Sequence, residues 1–349
     1  MKSVMPSLAL LLAISALAAS ALLTGLVRRL VASSGVLDLP NSRSSHDVPK
    51  PRGGGLAIVL VTTAGLLVLA LRGTVTRDLA CALVGGGVAV ALVGLADDRR
   101  SLSAATRLTV HFAAALWALA WLGGLPPVRV GTQLLSFGWA GYVLGAFGIV
   151  WALNLFNFMD GIDGIAASEA IFVALAGALL TASLTDGAGV GFAAVMFAAA
   201  CAGFLLWNWP PASIFLGDVG SGYLGYVIVV LAVAATRPNP VALWIWLILG
   251  GAFFVDATVT LLRRLLRRER VYQAHRSHAY QWLARRWGSH GKVTLAVAAM
   301  NLLWLFPWAL FAAASPEYAV AAVLAALVPL ALLAVMIGSG RGEQSPSRL

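Results

Sequence analysis

Apolar residues in this chain come neither in the alternating rhythm of a half-buried strand nor as the one-sided stripe of a soluble helix; they come in long runs. About eleven such runs can be drawn, at roughly residues 6–27, 56–71, 79–96, 108–125, 139–156, 165–184, 190–207, 221–236, 241–262, 293–314 and 318–338. Each is near the ~20 residues that a helix needs to cross a bilayer. In lipid every backbone polar group must find a partner within the protein, so runs of this length read as helices. The pattern predicts an all-α, polytopic integral membrane protein of about 10–11 transmembrane helices. It forms a single transmembrane domain over 1–338, followed by a polar, disordered tail over 339–349, and no internal repeat stands out.

Composition agrees. Of 349 residues, 60% are hydrophobic and 11% charged, and the mean hydropathy is +0.88, against ~25% charged in a soluble domain. A net charge of +10 would suit nucleic acid, but its placement does not: with the N-terminus outside, 19 of 24 Lys and Arg fall in the tail and in loops that follow odd-numbered runs. That is the positive-inside asymmetry, so the basic charge marks topology and attraction to anionic lipid or phosphate ligands. The first run is longer than a signal-peptide core and is followed by Arg28 and Arg29, as in an anchor. Cys81 and Cys201 both fall inside runs, and neither a disulfide framework nor a thiolate metal site follows from them.

Polar chemistry gathers at the inner ends of the runs. From Trp151 to Glu169, Asn154, Asn157, Asp160 and Asp163 recur at intervals of three, with Gly161 and Gly164 among them. An ordinary helix cap needs one such residue, whereas four oxygen ligands suit a hard cation such as Mg²⁺. Ile162 stands where a calcium loop of the EF-hand type needs a ligand. The first inside loop, Asp38 to Gly55, carries Arg43, His46, Lys50 and Arg52 among prolines that forbid a regular helix. Asp97-Asp98 ends the third run, and paired carboxylates can hold a cation or act as a general base. Gly217-Asp218-Val219-Gly220-Ser221 opens the eighth run. The loop from Arg263 to Lys292 combines nine basic residues with Tyr272, His275, His278, Tyr280, Trp282 and Trp287, part of it an interfacial helix. His275 and His278 lack a third ligand for zinc and read as donors to a diphosphate.

Together these motifs resemble the polyprenyl-phosphate N-acetylhexosamine-1-phosphate transferase family, glycosyltransferase family 4. Asp97-Asp98 matches its D-D pair, Asn154 to Gly164 its N-x-x-N-x-x-D-G-x-D-G, and Gly217 to Ser221 its G-D-x-G-S. The segment Ala274 to Gln281, A-H-R-S-H-A-Y-Q, looks like the branch that handles N-acetylated deoxysugars in O-antigen synthesis, and it lacks the three-histidine cluster of the peptidoglycan branch. The resemblance implies a multi-pass enzyme of the bacterial cytoplasmic (inner) membrane with its site on the cytoplasmic side. It implies transfer of a sugar 1-phosphate, from an N-acetylated hexosamine or deoxyhexosamine, out of a UDP-sugar onto undecaprenyl phosphate, with release of UMP. Mg²⁺, or Mn²⁺ in its place, is then held by Asn157 and Asp218, and the nucleotide by Asp160, Gly161, Asp163, Asn208 and Phe215. Phe215 would stack on uracil while Asn208 and Asp163 read its amide edges. Asp97 or Asp98 is the implied base, and His275, Arg276, His278, Lys50 and Arg52 steady the phosphates. A homodimer is compatible with this reading. The rival from another class is a cation-coupled transporter built on the deep carboxylates Asp256 and Glu169.

Overall fold

The computed structural model describes residues 4–33, 37–38, 49–184, 188–269 and 275–342. All eleven apolar runs are helical, in the order α1 (Val4–Ser33), α2 (Gly55–Leu71), α3 (Arg77–Cys81), α4 (Gly87–Arg99), α5 (Ala104–Leu122), α6 (Ala140–Met159), α7 (Ile165–Leu184), α8 (Ala188–Asn208), α9 (Asp218–Thr236), α10 (Ala242–Leu249), α11 (Gly251–Leu266), α12 (Ala279–Trp287), α13 (His290–Met300), α14 (Phe306–Ala314) and α15 (Ala319–Ile337). Among the described residues eight stretches are long and apolar enough to cross a membrane, or nine if α10 and α11, bent by 72° to each other, form one broken span. Of the remaining two of the eleven runs, α2 is a shorter apolar helix and α7 runs for 20 residues. The 17 residues of α2 rise about 25 Å, less than the ~30 Å of a hydrocarbon core. The chain just before α2 is committed elsewhere, because Gly55 N–H donates to Leu216 O at 2.9 Å.

Two spans contain a π turn, Ala82–Gly86 between α3 and α4 and Asn301–Leu305 between α13 and α14. A π turn displaces carbonyls from the helix ladder. In the first, Trp117 Nε1 donates to Cys81 O and Tyr226 Oη to Ala82 O, both at 2.8 Å, which meets the demand that lipid places on the backbone. Two small antiparallel hairpins, Leu37–Asp38 with Lys50–Pro51 and Val128–Val130 with Gln133–Leu135, were not foreshadowed by the hydrophobic pattern.

The central post is α9, 89% buried over its apolar window, with α4 and α6 packed along it. Gly94 lets α4 come close: a Cβ there would lie 2.3 Å from Asp218 O. That approach brings the end of α4, with its aspartate pair, to the start of α9. The chain expected to begin a free tail is docked instead. Ser339 is fully buried, its hydroxyl donates to Asp256 Oδ1 at 3.0 Å, and Gly340 N–H donates to Ser277 O at 2.7 Å. The end of α15 thus carries the chain back onto α11. Arg43, His46, Tyr272 and residues 343–349 lie outside the described residues.

Candidate active site

The C-terminal ends of α4, α6 and α8 and the N-terminal ends of α2, α5, α7 and α9 meet at one end of the bundle. The motif carboxylates lie on these ends or in the turns between them. Asp98 caps α9: its Oδ1 accepts from Asp218 N–H at 2.9 Å and its Oδ2 from Val219 N–H at 3.0 Å, satisfying two of the donors that a helix start leaves open. Arg52 then ties the two carboxylates together, Nε to Asp98 Oδ1 at 2.9 Å and Nη2 to Asp218 Oδ1 at 2.7 Å. Its loop is held by pairing with the turn before α9, where Phe215 N–H donates to Pro51 O at 2.9 Å and Gly54 N–H to Phe215 O at 2.9 Å. Asn157 Nδ2 donates to Asp218 Oδ1 at 3.0 Å and to Ser221 Oγ at 2.9 Å. Asp97 faces α5 instead, accepting from Leu102 N–H at 2.6 Å and pairing with Arg107 Nη1 at 2.7 Å.

A second group adjoins the first. Lys50 Nζ lies 5.3 Å from the Phe215 ring centroid and 3.9 Å from Asp163 Oδ2. Asp163 also accepts from Ala212 N–H at 3.0 Å and has His290 Nδ1 at 3.4 Å. Burial alone would raise its pKa, but His290, the Ala212 N–H and the Lys50 charge hold it below the ordinary carboxylate value. Asp160 goes the other way. Burial first, then the nearby Asp218, Asp98 and Asp163 charges, push it well above the ordinary value against the pull of Arg52. Asn208 is buried and spends its amide on backbone, accepting from Gly164 N–H and donating to Ile214 O, both at 3.0 Å.

The histidine loop forms a cluster of its own around Asp256. That carboxylate caps α12 through Ala279 N–H at 2.8 Å and Tyr280 N–H at 3.1 Å, and accepts from Thr260 and Ser339 at 3.1 and 3.0 Å. His278 is 2% exposed, 3.7 Å from Asp256 and stacked against Phe158. His275, within hydrogen-bond reach of Ser277 Oγ at 3.0 Å, is pushed down to about 3 by burial and by the His278 and Arg264 charges, so its ring is neutral. The loop meets the first cluster at Gly161: Tyr280 Oη donates to Phe158 O at 3.0 Å, and a Cβ on Gly161 would lie 2.1 Å from that hydroxyl oxygen. Arg276 shares the loop, its carbonyl taken by Arg285 at 3.1 Å.

With this geometry established, comparison with known proteins places it. The family model described as glycosyl transferase family 4 matches residues 80–236. A decaprenyl-phosphate N-acetylglucosaminephosphotransferase of Mycobacterium tuberculosis is 30% identical over 341 residues, 87% of this chain and 83% of the relative. The chain belongs to glycosyltransferase family 4. A probable undecaprenyl-phosphate N-acetylglucosaminyl 1-phosphate transferase of Bacillus subtilis is 29% identical over 81% of this chain and 79% of its own length. A phospho-N-acetylmuramoyl-pentapeptide-transferase of Moorella thermoacetica is 33% identical over 61% of this chain and 68% of its own.

The stretch matched by the family model contains Asp97, Asp98, Asn157 and Asp218 but stops before the histidine loop. Two carboxylates and an amide converge on oxygen chemistry alone, and Arg52 occupies their midst as a cationic bridge. Asn157 turns its nitrogen to Asp218 and Ser221 and leaves Oδ1 without a donor among the described residues. This donor set fits a hard divalent cation, provided Arg52 yields Asp218. The transporter reading gains nothing from the family; of the deep carboxylates, Asp256 caps a helix and one oxygen of Glu169 accepts from Asn301 at 2.5 Å. Sequence reasoning passed over Arg107, His111, His290 and Ser339. His290 and Ser339 reach Asp163 and Asp256 across 127 and 83 residues, and Arg107 and His111 act across a helix boundary, so no local spacing announces them. The one available signal was a charged or imidazole side chain at the start of an apolar run.

Proposed function

We propose that this protein transfers a sugar 1-phosphate, from an N-acetylated hexosamine or deoxyhexosamine, from a UDP-sugar to undecaprenyl phosphate at the cytoplasmic face of the bacterial inner membrane. The observation that carries the reading is the meeting of D-D, N-x-x-N and G-D-x-G-S at one bundle end, with Arg52 bridging Asp98 and Asp218. In the reaction an acceptor phosphate oxygen attacks the phosphorus attached to the sugar, the bond to the other phosphate of the diphosphate breaks, and UMP leaves. A bound Mg²⁺, or Mn²⁺, would be held by Asp218 and Asn157 and would offset the charge of the donor diphosphate. Lys50 and Phe215 receive the nucleotide end, beside Asp160, Gly161 and Asp163. His275 and Arg276 line the donor's phosphates, while His278, sealed on Asp256, fixes the loop that presents them.

The two neighbouring aspartates divide the work. Asp98 has both oxygens committed to α9 and Arg52, so it holds the frame. Asp97, whose oxygens are held by the Leu102 N–H and by Arg107, lines the cleft beside Asn157 and Asp218, and its role in this reading is to take the residual proton of the acceptor as Arg107 turns to the incoming phosphate. The basic inner loops support the cytoplasmic side, and the histidine segment supports a role at the start of a lipid-linked surface polysaccharide, as in O-antigen synthesis. Purified protein incubated with undecaprenyl phosphate and a panel of UDP-sugars should release UMP and label the lipid with at least one sugar. Silence with every donor in the presence of Mg²⁺ and Mn²⁺ would overturn the reading.

A further inference from the structure

On the membrane side of Asp97 and Asp218 a narrow cleft runs between α4, α5, α6 and α9, walled by Asp97, Arg107, His111, Asn154, Asn157 and Asp218. Its α5 wall is unusual for an apolar span. Arg107 and His111 stand one turn apart, on one face, so that cation and imidazole meet the same space. Arg107 gives one nitrogen to Asp97, yet its side chain remains 37% exposed. The Nδ1 of His111 is buried without a hydrogen-bond partner, a state that native proteins seldom leave unexplained. Across the cleft Asn154 donates its amide nitrogen to Val150 O at 2.7 Å, so the donors to an anion here come from the α5 wall. None of these groups is used by the nucleotide end, where Lys50, Phe215 and Asp163 already form a separate group.

We infer that this cleft seats the phosphate monoester of the lipid acceptor, with His111 as an N–H donor to a phosphate oxygen beside Arg107. The inference rests on the transferase reading and adds to it a division of the site: the donor enters at Lys50 and Phe215, the acceptor from the α5 side, with Asp97 and Asp218 between. A phosphate on an isoprenoid chain suits that side. His111 sits about 6 Å deeper than Arg107 along α5, so a headgroup held there keeps its chain at bilayer depth. Arg107 supplies charge, Asp97 the proton acceptor, and His111 a directed hydrogen bond that undergoes no bond change itself.

Steady-state kinetics on His111→Ala and His111→Gln in detergent or nanodiscs test this, using the UDP-sugar that the wild type uses best. Loss of one hydrogen bond to an anion should raise KM for undecaprenyl phosphate about tenfold, with kcat and KM for the UDP-sugar within about twofold. Glutamine, which keeps an N–H donor, should return most of the lost affinity. An unchanged acceptor KM in His111→Ala, or equal rises in both KM values, would overturn the assignment. Calorimetry with farnesyl phosphate and, separately, UMP reads the cleft without turnover: farnesyl phosphate binding should weaken in His111→Ala while UMP binding holds. Equal farnesyl phosphate binding in wild type and variant rejects the acceptor seat. If the wild type binds both probes yet transfers no sugar phosphate to the lipid, the transferase reading fails and the phosphate seat stands.

Discussion

Asp98 and Asp256 do the same thing to different helices. Each reaches from one helix to the start of another and accepts from its first backbone N–H groups, Asp98 at α9 and Asp256 at α12. Around Asp256 the neighbours close in: Thr260 and Ser339 donate to it, and His278 packs 3.7 Å away. Around Asp98 the neighbours are charged and only half committed. Arg52 shares itself between Asp98 and Asp218, and Asn157 keeps an uncommitted oxygen. A carboxylate cap is therefore a way to fix geometry, and what makes one cap a site is the unsatisfied chemistry beside it. The sealed cap aims a loop, whereas the open one leaves charge for a ligand to answer.

The comparison breaks most visibly at Asp218. Asp218→Ala should lower turnover on the order of a hundredfold or more, as should chelation with EDTA in the wild type, while membrane insertion and thermal unfolding stay near wild type. Poor expression with normal specific activity in the surviving protein would make Asp218 a cap like Asp256. The aspartate pair sharpens the open side. The acceptor monoester has a second pKa near 6, so between pH 6 and 9 solvent increasingly supplies the dianion. Asp97→Asn should regain activity as pH rises, and Asp98→Asn should stay slow throughout; matching flat profiles would remove the base assignment from Asp97.

On the sealed side, Asp256→Ala should cost about 1–3 kcal/mol of stability, read as a lower unfolding temperature, with less than a tenfold loss in kcat/KM for the folded fraction. A full loss of turnover at unchanged stability would place Asp256 in the chemistry. Ser339→Ala removes one lock and should cost about 1 kcal/mol, visible as earlier proteolysis of the chain after α15. The smallest effect concerns acid. The folded-state pKa of Asp163 lies below its ordinary value, so its contribution is fully present above pH ~4. It is lost as pH falls through the lower folded value. Asp163→Asn should thus be less stable than wild type at pH 7 and converge with it in strong acid; a constant gap across pH would show that the charge is not what stabilises.

Much of the site was legible because ligand types cluster along the chain. Asn157, Asp160 and Asp163 announce themselves within one turn-forming segment, and Asp97, Asp98 and Asp218 each stand at one end of an apolar run. Their roles were less legible. Asn208 reads as a nucleotide ligand but is spent on Gly164 and Ile214, and His278 reads as a phosphate donor but packs on Asp256 and Phe158. Sequence shows that a polar group exists and says nothing of who already holds it.

The sequence by itself determined the helical membrane class, the eleven apolar runs and the place of the motifs at run ends, because lipid demands long self-satisfied helices and leaves polar groups to the segments between them. Only the tertiary structure decided that α2 is short, that Arg52 crosses to Asp98 and Asp218, and that Ser339 returns to Asp256. Those contacts join residues up to 166 positions apart. They depend on which helix faces come within van der Waals reach, as at Gly94 against Asp218, and hydropathy along one dimension carries no information about that.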